Sequence, residues 1–91
     1  MTETRETRLK RLKIRSWRRG IREMDIILGP YFDACGADLD DATLDAYETL
    51  LSENDQDLYA WVSGRDTPPE AFEPMLNLIR AHAGQAHDAL G

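Results

Sequence analysis

Few side chains in this 91-residue sequence have the type and spacing for chemistry. His82 and His87 stand five apart, a poor spacing for one helix face, and read as two solvent-exposed histidines rather than a metal site. Cys35 is the only cysteine, which excludes an internal disulfide and any multi-cysteine zinc site. With no histidine near it in sequence, it reads as a small buried or half-buried thiol and not as a nucleophile. The acids of "DLDDATLDAYETLLSENDQD" are evenly spread and lack the fixed offsets and central glycine of a calcium loop. No glycine-rich phosphate loop and no dinucleotide fingerprint occur. No catalytic residue and no metal ligand is therefore assigned, and an enzyme is not expected.

One stretch survives that filter, "RRGIREMD" at residues 18–25. Read as helix, it places Arg19 and Glu23 four apart on one face, in the order that stabilises a helix less. Gly20 lies between them, and glycine inside a helix costs roughly 1 kcal/mol against alanine. Two readings of Gly20 stand side by side: a break between helices, or a missing side chain that lets another molecule's backbone or a ligand approach.

Five helical segments and no strand are expected around that stretch. The first runs from about Thr4 to Trp17, with Leu9 and Leu12, and less firmly Ile14 and Trp17, as its apolar side. A second starts near Arg19 or Gly20, with Ile21, Met24, Ile27 or Leu28, and Phe32 at helical spacing. Pro30 should kink or shorten it, and Gly36 is a plausible stop. The third, capped by Asp40 or Asp41, turns Leu44, Tyr47, Leu50 and Leu51 inward. Asp55 is the candidate cap of a short fourth helix that faces Leu58, Trp61 and Val62 to the core and ends at Gly64. The fifth opens on "TPPE", where Thr67, Pro68 and Glu70 form a capping box. Phe72, Met75, Leu76 and Ile79 follow, and Gly84 closes it. The fold class is all-α, a compact five-helix bundle in a single domain, with a core of about 5–84 and a frayed tail at 85–91.

Charge is sharply divided along the chain. Residues 1–25 hold nine of the eleven basic residues and carry +5, whereas the remaining 66 residues carry −11. Such polarity speaks to partners and association more than to fold. No apolar run is long enough to span a membrane, and the N-terminus lacks the apolar core of a secretory signal. A single cysteine fits a reduced intracellular compartment. Glu3 and Glu6 count against a mitochondrial transit peptide, so a bacterial cytoplasmic protein is expected, with a monomer as the default.

The stretch also resembles a known signature. Arg19, Gly20 and Glu23 match the R-G-x-x-E hallmark of the succinate dehydrogenase flavinylation factors, the SdhE (YgfY-like) FAD assembly factors and their mitochondrial relatives. Arg18 and Asp25 fit its extended form. Pro30 and Phe32 follow, then Leu50 and Leu51, then Asp55, Asp57, Leu58 and Trp61. The similarity runs from about Ser16 to Ile79 and leaves out the basic first helix and the tail. It implies a five-helix protein that holds no tightly bound cofactor of its own. Such a protein binds the flavoprotein subunit of succinate dehydrogenase, and often that of fumarate reductase, and promotes attachment of FAD to a histidine there. By position, Arg19, Gly20 and Glu23 would lie at that client interface, with Arg18, Asp25, Asp57 and Trp61 as supporting or peripheral contacts.

Three other readings stay open at this point. A nucleic-acid- or ribosome-associated protein would use the basic first helix on phosphates, although the −11 behind it opposes a second phosphate contact, and no nucleic acid is assigned as partner. A generic adaptor would recognise some other acidic helix bundle. A flavin-binding protein would have only Trp17, Trp61 and the tyrosines to stack with, and no phosphate cradle.

Overall fold

Apolar residues at helical spacing produce five α-helices: α1 (Arg5–Trp17), α2 (Arg22–Cys35), α3 (Asp41–Leu51), α4 (Asp55–Val62) and α5 (Glu73–Leu90). Short 3-10 turns at Gly36–Asp38 and Glu70–Phe72 precede α3 and α5. The computed structural model describes residues 3–90, with side chains through residue 83. Each of the first four helices starts where the backbone leaves an extended conformation. Side-chain oxygens of Thr4, Asp40 and Asn54 accept from the N–H groups of Thr7, Thr43 and Gln56, satisfying donors that have no partner inside α1, α3 and α4.

The α1 helix lies on α2, which also packs on α4 and α5, and α3 closes against α1 and α5. Between them, Leu12, Met24, Leu28, Leu44, Tyr47, Leu50, Leu58, Leu76 and Ile79 are fully buried. A buried aliphatic side chain of this size stabilises by about 1.5–3 kcal/mol, so this core holds the fold. Tyr47 is its centre, stacked on Phe32 with ring centroids 5.1 Å apart. Its hydroxyl meets Ser16 Oγ at 2.5 Å, and Ser16 donates to the Leu12 carbonyl, so the buried polar atoms of this corner are paired.

Several expected boundaries move. The α2 helix begins at Arg22, and Arg18–Ile21 form a non-helical connection, which makes Gly20 the break between the first two helices. Pro30 sits inside α2 without ending it. Its missing donor leaves only the Ile26 carbonyl unpaired, and Ile26 is on the solvent side. Asn54, not Asp55, caps α4. The capping box at Thr67 does not form. Pro69 disfavours the helical region for Pro68, the chain stays extended to Pro69, and α5 starts only at Glu73. Gly84 does not close α5, which continues to Leu90 through an alanine-rich stretch whose propensity offsets one glycine. Gly64 is the helix-ending glycine that does what its type suggests, with φ +83° just beyond α4. On α1, Ile14 and Trp17 face outward, and Tyr31 joins the buried face of α2. His82 is half-buried with its ring edge against Tyr31, 5.7 Å away, and is not a freely solvated histidine. The side chain of His87 lies outside the described residues. Cys35 is a half-buried free thiol.

Candidate functional site

The connection from Arg18 to Ile21 is short and polar, yet the backbone N–H groups of Arg18, Arg19 and Gly20 and the Arg19 side chain are all engaged. The Arg19 N–H donates to Asp25 Oδ1 at 2.6 Å, so the first turn of α2 reaches back to its own entry. The Arg19 side chain turns into the protein. Its Nε donates to Asp55 Oδ1 at 2.7 Å, Nη2 to the Leu51 carbonyl at 2.8 Å and the Glu53 carbonyl at 3.4 Å, and Nη1 to the Arg15 carbonyl at 3.4 Å. The second oxygen of Asp55 accepts the N–H of Gly20. Arg19 and Asp55 side chains are 9% and 16% exposed, so solvent screens this pair far less than an exposed one. The Leu51 carbonyl belongs to the end of α3, where carbonyls lack intrahelical partners, and the guanidinium supplies one. Arg19 thus ties together the ends of α1 and α3 and the start of α4.

Gly20 follows from the same arrangement. A Cβ there would sit 2.8 Å from Asp55 Oδ2, closer than such contacts occur. The close approach favours glycine here, and the approaching group is a carboxylate of this chain, which a larger residue would have to displace. The Gly20 residue itself is exposed.

The other expected site residues divide into two sets. Asp25 faces inward onto the connection. Trp61 is half-buried, tilted against Phe72 with ring centroids 5.7 Å apart and packed against the core, and its carbonyl accepts from Arg80 at 2.7 Å. Arg18, Glu23 and Asp57 are exposed, and their side chains have no hydrogen-bond or ion-pair partner among the described residues. The same holds for Arg22, which sequence reasoning did not single out. Arg19 and Glu23 do not share a helix face, because Arg19 precedes the helix and Glu23 lies in its first turn. From sequence, Asp55 reads as a cap and a motif match and not as a partner of Arg19. Its place in an acid-x-acid-Leu run within the shared signature was the available signal.

The basic first helix has its own account. Arg5 pairs with Asp41 at 2.9 Å, Arg8 with Asp45 at 2.7 Å and Glu48 at 3.1 Å, and Arg11 with Glu3 and Glu48 at 2.8 Å each. The Arg11 and Arg8 guanidiniums hold the Glu48 carboxyl below its usual range. The +5 and −11 segments are therefore folded against each other along α1 and α3. Much of the basic helix is engaged, which removes the ground for a phosphate-binding reading of it.

A protein-family model described as "Flavinator of succinate dehydrogenase" matches residues 10–83, most of the chain. The chain belongs to that family. The match begins inside α1, so the family's shared region takes in more of the basic helix than the motif comparison alone indicated. Among curated relatives, the FAD assembly factor SdhE of Aliivibrio fischeri is 43% identical over 47 residues, covering 52% of this chain and 55% of that protein. The mitochondrial succinate dehydrogenase assembly factor 2 of Meyerozyma guilliermondii is 43% identical over 61 residues, 67% of this chain and 45% of that protein. The FAD assembly factor SdhE of Photobacterium profundum is 39% identical over 67 residues, 71% and 75% respectively. The chain thus spans about half the length of the first two relatives. No solved structure gives a significant match. Family members are named as assembly factors, and among the described residues no helix is long and apolar enough to cross a membrane.

Proposed function

We propose that this flavinator-family protein is an assembly factor that binds the flavoprotein subunit of succinate dehydrogenase and promotes covalent attachment of FAD to a histidine of that subunit. The observation that carries the reading is the family match over residues 10–83; beside it stands a braced junction whose Arg18, Arg22 and Glu23 side chains have no hydrogen-bond or ion-pair partner among the described residues. Unpaired charges of both signs on a held backbone suit recognition of a polar protein surface better than they suit stability, since isolated surface charges contribute little to folding.

In this reading the client supplies FAD, the histidine and the charge stabilisation, and the reaction is the client's own. Joining the flavin 8α-methyl to histidine removes a proton from the methyl and one from the histidine nitrogen, with transient negative charge on the ring, and leaves two electrons on it as reduced flavin, which an electron acceptor such as dioxygen reoxidises. What this chain contributes is geometry: a rigid wedge that holds the client in the arrangement where its own groups react. Orientation of that kind is worth up to several kcal/mol. The factor binds the immature client more tightly than the finished one and then dissociates, as a population-shifting ligand must. The flavoprotein of fumarate reductase is a second client of the same chemistry. Gly20 and Glu23 form the contact surface, with Arg18 beside them and Asp57 at its edge.

The test is binding. The apo flavoprotein subunit and its flavinylated form are titrated separately into this protein by calorimetry. Tighter binding of the apo form is expected. Equal affinity, or none, would contradict the proposed role.

A further inference from the structure

We infer that Asp55 is a positioning residue of the client-binding junction, and that Arg19 acts inward as the group Asp55 holds, not as an arm that reaches the client. The inference rests on the function proposed above and assigns the parts of its site.

Arginine has five N–H donors and no acceptor. At Arg19, Nε, Nη1 and Nη2 all point at acceptors of this chain: Asp55 Oδ1 and the carbonyls of Arg15, Leu51 and Glu53. The side chain is 9% exposed and four of its five N–H groups have acceptors in this chain, which leaves little of it to present outward. Asp55 uses one oxygen on that guanidinium and the other on the Gly20 N–H, so a single carboxylate fixes both a side chain and the backbone beside it. Asp25 fixes the remaining amide, that of Arg19. Neither residue of the Arg19–Gly20 pair can be exchanged freely. Lysine lacks the forked donors, and any Cβ at position 20 would meet Asp55. The Arg-Gly pair and Asp55, more than thirty positions apart in sequence, are one device. What it holds is the path of the chain from Arg18 to Ile21, and hence where Arg18, Arg22 and Glu23 stand.

The test uses the full-length protein and the purified apo flavoprotein subunit. Asp55→Ala, Asp55→Asn, Arg19→Ala and the Asp55→Ala/Arg19→Ala double variant are compared at a temperature well below the melting point of each. Client affinity, the rate of covalent flavin attachment and hydrogen exchange at the Gly20 amide are measured. Asp55→Ala should keep full helicity, expose the Gly20 amide to exchange, and weaken client binding about tenfold to a hundredfold. Asp55→Asn keeps one acceptor and should fall between; it carries the test if the alanine variant does not fold. The double variant should be about as impaired as Asp55→Ala alone and fall well short of the summed losses, since the two side chains share one interaction. A folded Asp55→Ala with wild-type affinity and rate would overturn the inference, as would losses that add in the double variant. A wild-type protein that neither binds the subunit nor speeds attachment would instead overturn the proposed function, and the inference with it.

Discussion

Glu23 and Gly29 show how differently two positions on one helix are constrained. Glu23 is exposed, and its side chain has no hydrogen-bond or ion-pair partner among the described residues, so inside the fold it serves only as an acid in the first turn of α2. Replacing it, as Glu23→Lys, should cost only about 1 kcal/mol in urea melts, from the reversed charge at the start of α2, while sharply slowing flavin attachment to the client. Gly29 is buried, and a Cβ there would run into the indole ring of Trp17. That ring is positioned by its Nε1, which donates to Asp33 at 3.1 Å. Alanine at 29 would recover helix propensity and partly mask the clash. Valine would not, because it is larger and a poorer helix former. Gly29→Val should therefore cost about 1–3 kcal/mol by overpacking, with Trp17 driven further into water and a red shift in tryptophan emission.

At the scale of elements, α1 is held to α3 by polar contacts centred on Glu48, and these respond to acid. Hydrogen bonding and charge from Arg11 and Arg8 lower the Glu48 pKa below its ordinary 4.5. A lowered carboxylate contributes stability that is present above the unfolded value and is lost as pH falls through the folded one. Melting temperature should thus be flat down to about pH 4.5 on account of this group and decline below it. Glu48→Gln should shrink that decline. The same elements show what was legible in sequence. The α3 helix was read nearly whole, because Asp40, Leu44, Tyr47, Leu50 and Leu51 obey local rules of cap and period. The start of α5 is not legible in sequence because two local rules conflict there, and the second proline overrules the cap at Thr67. Arg19 and Glu23 were placed on one helix because their spacing permits it. Contacts with Asp55 and the carbonyls of Leu51 and Glu53, far away in the chain, turn the arginine inward. No local pattern announces such a contact. Spacing found the positions of the junction, and tertiary structure decided which of them face out.

Taken as a whole molecule, the division of charge that first suggested an external partner is largely an internal contact. Arg5, Arg8 and Arg11 meet acids of α3, and the exposed cations left over, Arg18 and Arg22, flank Gly20. The core beneath also sets an alkaline limit. Burial pushes the Tyr31 hydroxyl up to about 12 and Tyr47 higher still. A raised tyrosine contributes stability that is complete below its unfolded value near 10.0 and is lost as pH rises toward about 12. Melts across that range should show the loss together with tyrosinate absorbance on unfolding. Such a core keeps five short helices in one arrangement, so that a four-residue connection can act as a fixed edge.

The most direct measurement is in-gel flavin fluorescence of denatured succinate dehydrogenase flavoprotein subunit. The subunit is incubated with FAD and the wild-type protein, with Glu23→Lys, or with neither. Denaturation strips free FAD, so only the covalent bond is seen. The account predicts a band that grows fastest with wild-type protein and little faster with folded Glu23→Lys than with no factor. Equal growth in all three lanes would contradict it.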